Sequence, residues 1–251
     1  MAVTTRPTPG GGGPKVNPSP RRPAPWVVQF YRSAVGKKWV MALTGMMIMG
    51  FVVVHALGNL KMYIGPESIN SYGEALRDLG GHLVPRTHLL WIMRFGLIAA
   101  FALHIHSAYS LTRMNHRARP QKYEAPRDYI AVDFAAKTMR YTGVVIALYI
   151  LFHLADLTWG TANPDFVRGD VYANLVHSFE RVPVAIIYIL ANLALGLHLF
   201  HGASSMFQSI GVNNERVRNL RPYIAGAVAL SVTAINVSYP LAVQFGIVSL
   251  G

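Results

Sequence analysis

The chain has 251 residues, of which 52% are apolar and only 14% charged, against roughly a quarter charged in an average soluble domain. Its 11 Asp and Glu are too few to clothe a globular surface of this size, which excludes an ordinary soluble domain. The 23 Lys and Arg give a formal charge of +12, but they gather in the N-terminal tail and two later segments, so the charge reads as membrane topology and not as a nucleic-acid surface. With no cysteine, the chain can hold no disulfide, thiolate zinc site or cysteine-ligated iron–sulfur cluster of its own.

Residues 1–36 read as a flexible, basic cytoplasmic tail, glycine-rich from Gly10 to Gly13 and punctuated by prolines up to Pro25. So long a segment ahead of the first apolar run argues against a signal peptide. Residues 37–251 read as one all-α membrane domain of five spanning helices, since a bilayer core needs about 20 helical residues. The first span is Trp39 to Leu60, bounded by Lys37, Lys38 and Lys61. The second runs from Leu89 to Thr112 and is interrupted only by Arg94; the third is Met139 to Trp159. The fourth opens at Pro183, a residue suited to a first helical turn, and reaches Gln208. The fifth opens at Pro222 and continues uncharged to the C-terminus. No internal repeat stands out.

Loop charge sets the orientation. The tail, the segment from Arg113 to Arg140, and the trio Arg216, Arg218 and Arg221 hold most of the basic residues and share one side of a five-span arrangement. The opposite loops are balanced or acidic: Lys61, Arg77 and Arg86 meet Glu67, Glu74 and Asp78, while Arg168 and Arg181 meet Asp156, Asp165, Asp170 and Glu180. The positive-inside rule therefore places the N-terminus in the cytoplasm and the C-terminus outside.

Six histidines fall within the spans: His55, His104, His106, His153, His198 and His201. Polar side chains at membrane depth are expensive and usually functional. At about 1.5 Å per residue, His55 lies roughly 24 Å and His153 roughly 21 Å from the cytoplasmic end of its helix. His106 and His201 lie roughly 26 Å from the outer end of theirs. One pair is thus outer and one inner, as two bis-imidazole b-type haems would require. Small residues nearby (Gly45, Gly50, Gly58, Gly143, Gly196 and Gly202) suit either a close macrocycle or ordinary helix packing. His104 and His106 are about 200° apart around a helix, so only one can face the interior; His198 and His201 share nearly one face, and spacing does not choose between them.

These residues resemble the single-chain, five-helix, two-haem cytochrome b anchor of succinate:quinone oxidoreductases, the succinate dehydrogenase/fumarate reductase enzymes of respiratory complex II. The likeness rests on Thr44-Gly45 ahead of His55, Gly58-Asn59, His106-Ser107-Ala108-Tyr109, His153-Leu154, and His201-Gly202 running into Ser205, Gln208 and Gly211-Val212-Asn213-Asn214. The resemblance implies His55 and His153 as axial ligands of the haem distal from the cytoplasm, and His106 and His201 as those of the proximal one. His104 and His198 are then left to hydrogen bonds with a propionate or another helix. It further implies a multi-pass protein of the bacterial plasma membrane that binds no succinate itself. A flavoprotein and an iron–sulfur subunit would dock on its basic cytoplasmic face, and a homo-oligomer of the whole complex is compatible with this.

Electrons would then cross two haems b to a quinone, for which the likeness favours menaquinone. Leu199 stands where fumarate-respiring members carry an acid linked to proton movement, so that proton path is not expected here. Arg113 and Lys38, with Arg32 and Lys37, lie near the inner layer and are candidates to neutralise haem propionates. Glu67, Tyr72 and Glu74, just beyond the first span, are candidates for the quinone site, because quinone reduction consumes protons as well as electrons. A haem b subunit of a fumarate reductase, hydrogenase or formate dehydrogenase would share the haems but not the partners. A histidine-based transporter would need carboxylates deep in the membrane, and Asp156, at the outer end of the third span, is the one acid within a span.

Overall fold

The computed structural model describes residues 24–118, 130–212 and 214–250, with the backbone alone for 130–137. Arg119, Lys122, Arg127 and the first part of the tail, which contribute to the topology signal, lie outside the described residues.

Among the described residues all regular structure is helical: α1 (Trp26–Arg32), α2 (Ala34–Asn59), a 3-10 turn (Leu60–Tyr63), α3 (Pro66–Ala75), α4 (His88–Ala118), α5 (Ile130–Leu157), α6 (Val171–Glu180), α7 (Val182–Ser209) and α8 (Glu215–Gln244). Five of these, α2, α4, α5, α7 and α8, are long and apolar enough to cross a bilayer. Residues 26–36, expected as tail, are helical except for the break at Ser33, whose hydroxyl caps α2 by accepting from Gly36 N at 2.9 Å.

The fifth span also begins earlier than expected. Asn214 Oδ1 accepts from Val217 N at 2.8 Å, so the helix starts at Glu215 and Pro222 lies inside it. A good cap has outweighed the preference of proline for a first turn, and Arg216, Arg218 and Arg221 ride on the opening turns of α8.

α2 lies along α4, α5 along α7 and α7 along α8, while α2 also touches α7 and α8. The α7–α8 approach depends on Gly196: a Cβ there would stand 2.2 Å from Thr233 Oγ1. Here the small-residue reading is helix packing. Asn236 donates to Asn192 Oδ1 at 3.0 Å across the same interface, the polar glue typical of packed membrane helices.

Buried apolar side chains concentrate at one end, where Met62, Ile69, Leu175, Val176, Phe179, Tyr188, Tyr239 and Val243 form one cluster under α3 and α6. These two short helices are tied to each other through Asn70, which donates to Asp170 Oδ1 at 3.0 Å and accepts from Tyr172 N at 3.1 Å. Elsewhere the helices turn large apolar residues outward, such as Trp91, Ile92, Phe95, Leu148, Leu190 and Leu230, as a lipid-facing surface requires.

Candidate cofactor-binding site

At the end of the bundle nearer α3 and α6, α2 and α5 bring together His55 and His153, with ring centroids 6.0 Å apart and planes at 89°. Phe51 stacks on His55 at 5.3 Å, and Tyr149 tilts over His153 at 5.8 Å. The tautomer of His153 follows from its neighbours. Tyr188 donates its one hydroxyl proton to Asp156 Oδ2 at 2.9 Å, so its oxygen can only accept, and His153 Nδ1, 3.3 Å away, must be the donor. The lone pair is then on His153 Nε2. Asp156 is fully buried and is held in place by Ser178 Oγ and by Arg181, whose Nη2 is 2.5 Å from Oδ1.

Further from that end, His104 Nδ1 lies 3.1 Å from the Met41 carbonyl and 3.4 Å from Thr44 Oγ1. His198 Nδ1 lies 3.1 Å from Thr142 Oγ1. Gly45 and Gly143 leave room for these rings: an added Cβ would come within 3.1 Å of His104 Cε1 and 3.6 Å of His198 Cε1. His198 is within electrostatic reach of both His104 and His201.

His106 instead turns towards α1, where its Nδ1 is 2.6 Å from the Tyr31 hydroxyl and the two rings stack. His201 packs edge-on against Phe200, 5.3 Å between centroids. Among the described contacts, none joins His106 to His201.

Arg113, beside the Tyr109 ring, lines a cavity of about 330 Å³ with Lys37, His106, Ser110 and Arg117. Lys37, buried over the Tyr31 ring at 4.3 Å, occupies the place for which Lys38 was a candidate; Lys38 is exposed and does not line the cavity.

The three quinone candidates share α3 but not an environment. Tyr72 packs on Gly58, one turn beyond His55, so closely that a Cβ on Gly58 would stand 2.8 Å from its ring. Glu74 pairs with Arg77 and Arg86, and Glu67 is exposed in the first turn.

The residues that orient the rings, namely Thr44, Thr142, Tyr188, Ser178 and Arg181, were not legible as site residues. Asp156 did signal itself as the lone acid in a span, but its partners lie 22–32 residues further along the chain.

These side chains fit bis-imidazole metal sites. Two imidazole nitrogens bonded to one metal at about 2 Å each put their ring centroids roughly 6 Å apart, the spacing seen for His55 and His153. Nδ1 of His153 is satisfied by protein, which leaves Nε2 as the ligating atom, the arrangement usual for metal-bound histidine.

No curated protein and no solved structure matches the chain. Residues 137–236, covering most of α5 with His153, the short helix α6, α7 with both of its histidines and most of α8, match the model of the succinate dehydrogenase/fumarate reductase transmembrane subunit. Over these residues the chain is similar to the succinate dehydrogenase/fumarate reductase transmembrane subunit family.

Proposed function

We propose that the chain is the cytochrome b anchor of a succinate dehydrogenase, carrying electrons from an iron–sulfur subunit on its cytoplasmic face to a membrane quinone, menaquinone by resemblance. The family supplies the coarser part of this reading, a membrane subunit of a complex that also has flavoprotein and iron–sulfur subunits. The finer part rests on one observation: His55 and His153, from different helices, face each other at the spacing of a shared metal, with His153 oriented through Tyr188 and Asp156.

In this reading His55 and His153 hold the outer haem b. The inner haem lies between α4 and α7 and takes one histidine from His104 and His106 and one from His198 and His201. Bound there, haem supplies reversible one-electron chemistry at membrane depth. Arg113 and Lys37 supply positive charge at the inner end, with Lys38 further out. Tyr72, one turn from His55, is the best placed of the quinone candidates, and its phenol can donate to a quinone carbonyl; Glu67 and Glu74 on the same helix offer proton acceptors.

The first test is a reduced-minus-oxidised spectrum of the purified complex. Two low-spin b-type components are expected, and His55→Ala and His153→Ala should each remove the same one. A spectrum without haem sinks the reading. The outer quinone position is tested separately, with an uncoupler in intact cells. If electrons cross from cytoplasmic succinate to a quinone protonated from outside, collapsing the potential slows succinate oxidation; an unchanged or faster rate rejects the outer site.

A further inference from the structure

We propose that the inner pair of axial ligands is His104 and His198, and that α2 with α4 and α5 with α7 are two copies of one histidine-presenting unit. The proposal rests on the two-haem reading above and names the side chains that serve its inner site.

The copies are visible once the contacts are known. Met41-Ala42-Leu43-Thr44-Gly45 on α2 and Met139-Arg140-Tyr141-Thr142-Gly143 on α5 share the pattern Met-x-x-Thr-Gly, and each is followed at the same distance by a histidine, His55 or His153. Thr44 to His55 and Thr142 to His153 are both 11 residues, which is three helical turns to within about 20°. Each helix therefore shows a threonine and a histidine on one face, roughly 16 Å apart along its axis. The upper positions carry the His55–His153 pair. The lower positions do not ligate; each receives a histidine from the following span.

Both threonines receive it in the same way. Thr44 donates its hydroxyl proton to the Val40 carbonyl at 2.6 Å, and Thr142 donates to that of Thr138 at 2.7 Å. Each Oγ1 is left as an acceptor only, so the ring nitrogen beside it must carry a proton. For His104 the Met41 carbonyl, which has no proton to give, imposes the same tautomer. For His198 the Thr142 oxygen, 3.1 Å from Nδ1, imposes it. Both rings thus have Nδ1–H tied to a helix of their own half and keep the lone pair on Nε2. Glycine follows each threonine and gives the ring its space.

His106 and His201 lack these features. His106 is about 200° around α4 from His104 and is engaged by Tyr31. His201 has an aromatic neighbour in Phe200 and, among the described residues, no hydrogen bond that fixes its tautomer.

The test is made on the whole complex, read by difference spectra and redox titration. His104→Ala and His198→Ala should each remove the component that survives in His55→Ala and His153→Ala, while His106→Ala and His201→Ala keep both. Loss of that component in His106→Ala or His201→Ala, with retention in His104→Ala and His198→Ala, overturns the assignment.

Two gentler substitutions guard against loss of folding. His104→Met should raise the inner potential, because a thioether ligand favours the reduced iron, whereas His106→Met should leave it unchanged. Thr142→Val, which removes the acceptor from His198 Nδ1, should weaken inner haem retention about 10- to 100-fold and spare the outer component. Equal effects of His104→Met and His106→Met, or an unaffected inner component in Thr142→Val, count against the proposal. Absence of both components from the unaltered complex would instead refute the two-haem reading itself.

Discussion

A single hydroxyl links the ring of His153 to a buried acid, and in the two-haem reading it governs the outer site. Tyr188 stands between a buried carboxylate and a histidine ring, giving its proton to Asp156 and taking that of His153. Tyr188→Phe leaves the ring system in place and deletes only this link. The outer haem of the purified variant should be retained about 10- to 100-fold less tightly, measured by loss of its spectral component on dilution into apo-globin or a comparable acceptor. Retention equal to that of the parent would mean that Tyr149 and Phe51 hold the rings unaided. Asp156 was legible in the sequence because an acid in a span is costly. The relay it anchors was not, because Ser178, Arg181 and Tyr188 come from the next loop and helix, and nothing in their local pattern distinguishes them from packing residues.

At the scale of elements, two contacts set how the helices and caps hold together. Gly196→Ala would drive a methyl into Thr233 on α8 and should destabilise the bundle by about 1–3 kcal/mol in detergent, with Thr233→Ala restoring most of the loss. A lack of rescue would show that the strain arises elsewhere. The outer cap responds to acid. Asp170 accepts from Ala173 N and from the Asn70 amide, and these bonds hold its carboxyl below the ordinary aspartate value of about 4. Its contribution is therefore complete above that ordinary value and is lost as pH falls through the depressed one. Hydrogen exchange in the first turn of α6 should accelerate below about pH 4 in the parent, and Asp170→Asn should flatten that dependence.

Element existence was plain from the sequence, since each span is a long apolar run. The ends were not. Asn214 caps a helix whose start the sequence placed at Pro222, and α3 and α6 are too short to register until their packing on each other is seen. The choice between His104 and His106 also belongs here: it depends on which face of α4 meets α2, a rotation that apolar content does not encode.

The whole molecule offers a topology test of unusual cleanliness, because the native chain has no cysteine. Single cysteines at Thr161 and at Ser209 should be labelled from opposite sides by a membrane-impermeant maleimide, Thr161 from outside in intact cells and Ser209 only after lysis. Labelling in the reverse pattern would invert the orientation read from the basic loops. The sequence carried the two-layer distribution of histidines through depth alone, which uses nothing but position along each span. It did not carry the duplication, since only the Met, Thr, Gly and His of each copy, with Ile48 and Ile146 between them, coincide and the other residues differ freely.

The equivalence of α2 with α5 has a consequence for how such a chain comes together. Helices that repeat in the same direction are related by rotation about the membrane normal, as two subunits of a symmetric dimer are. On the proposed assignment each cofactor position draws one ring from each half: His55 with His153, and His104 with His198. Neither half therefore contains a whole site, and an early precursor of half the length would have had to pair with a twin to bind anything. In the fused chain the same arithmetic makes the cofactors clasps. The one between His55 and His153 can engage once α5 is in the bilayer and the one between His104 and His198 only when α7 has followed, and once engaged they fasten the first half made by the ribosome to the second.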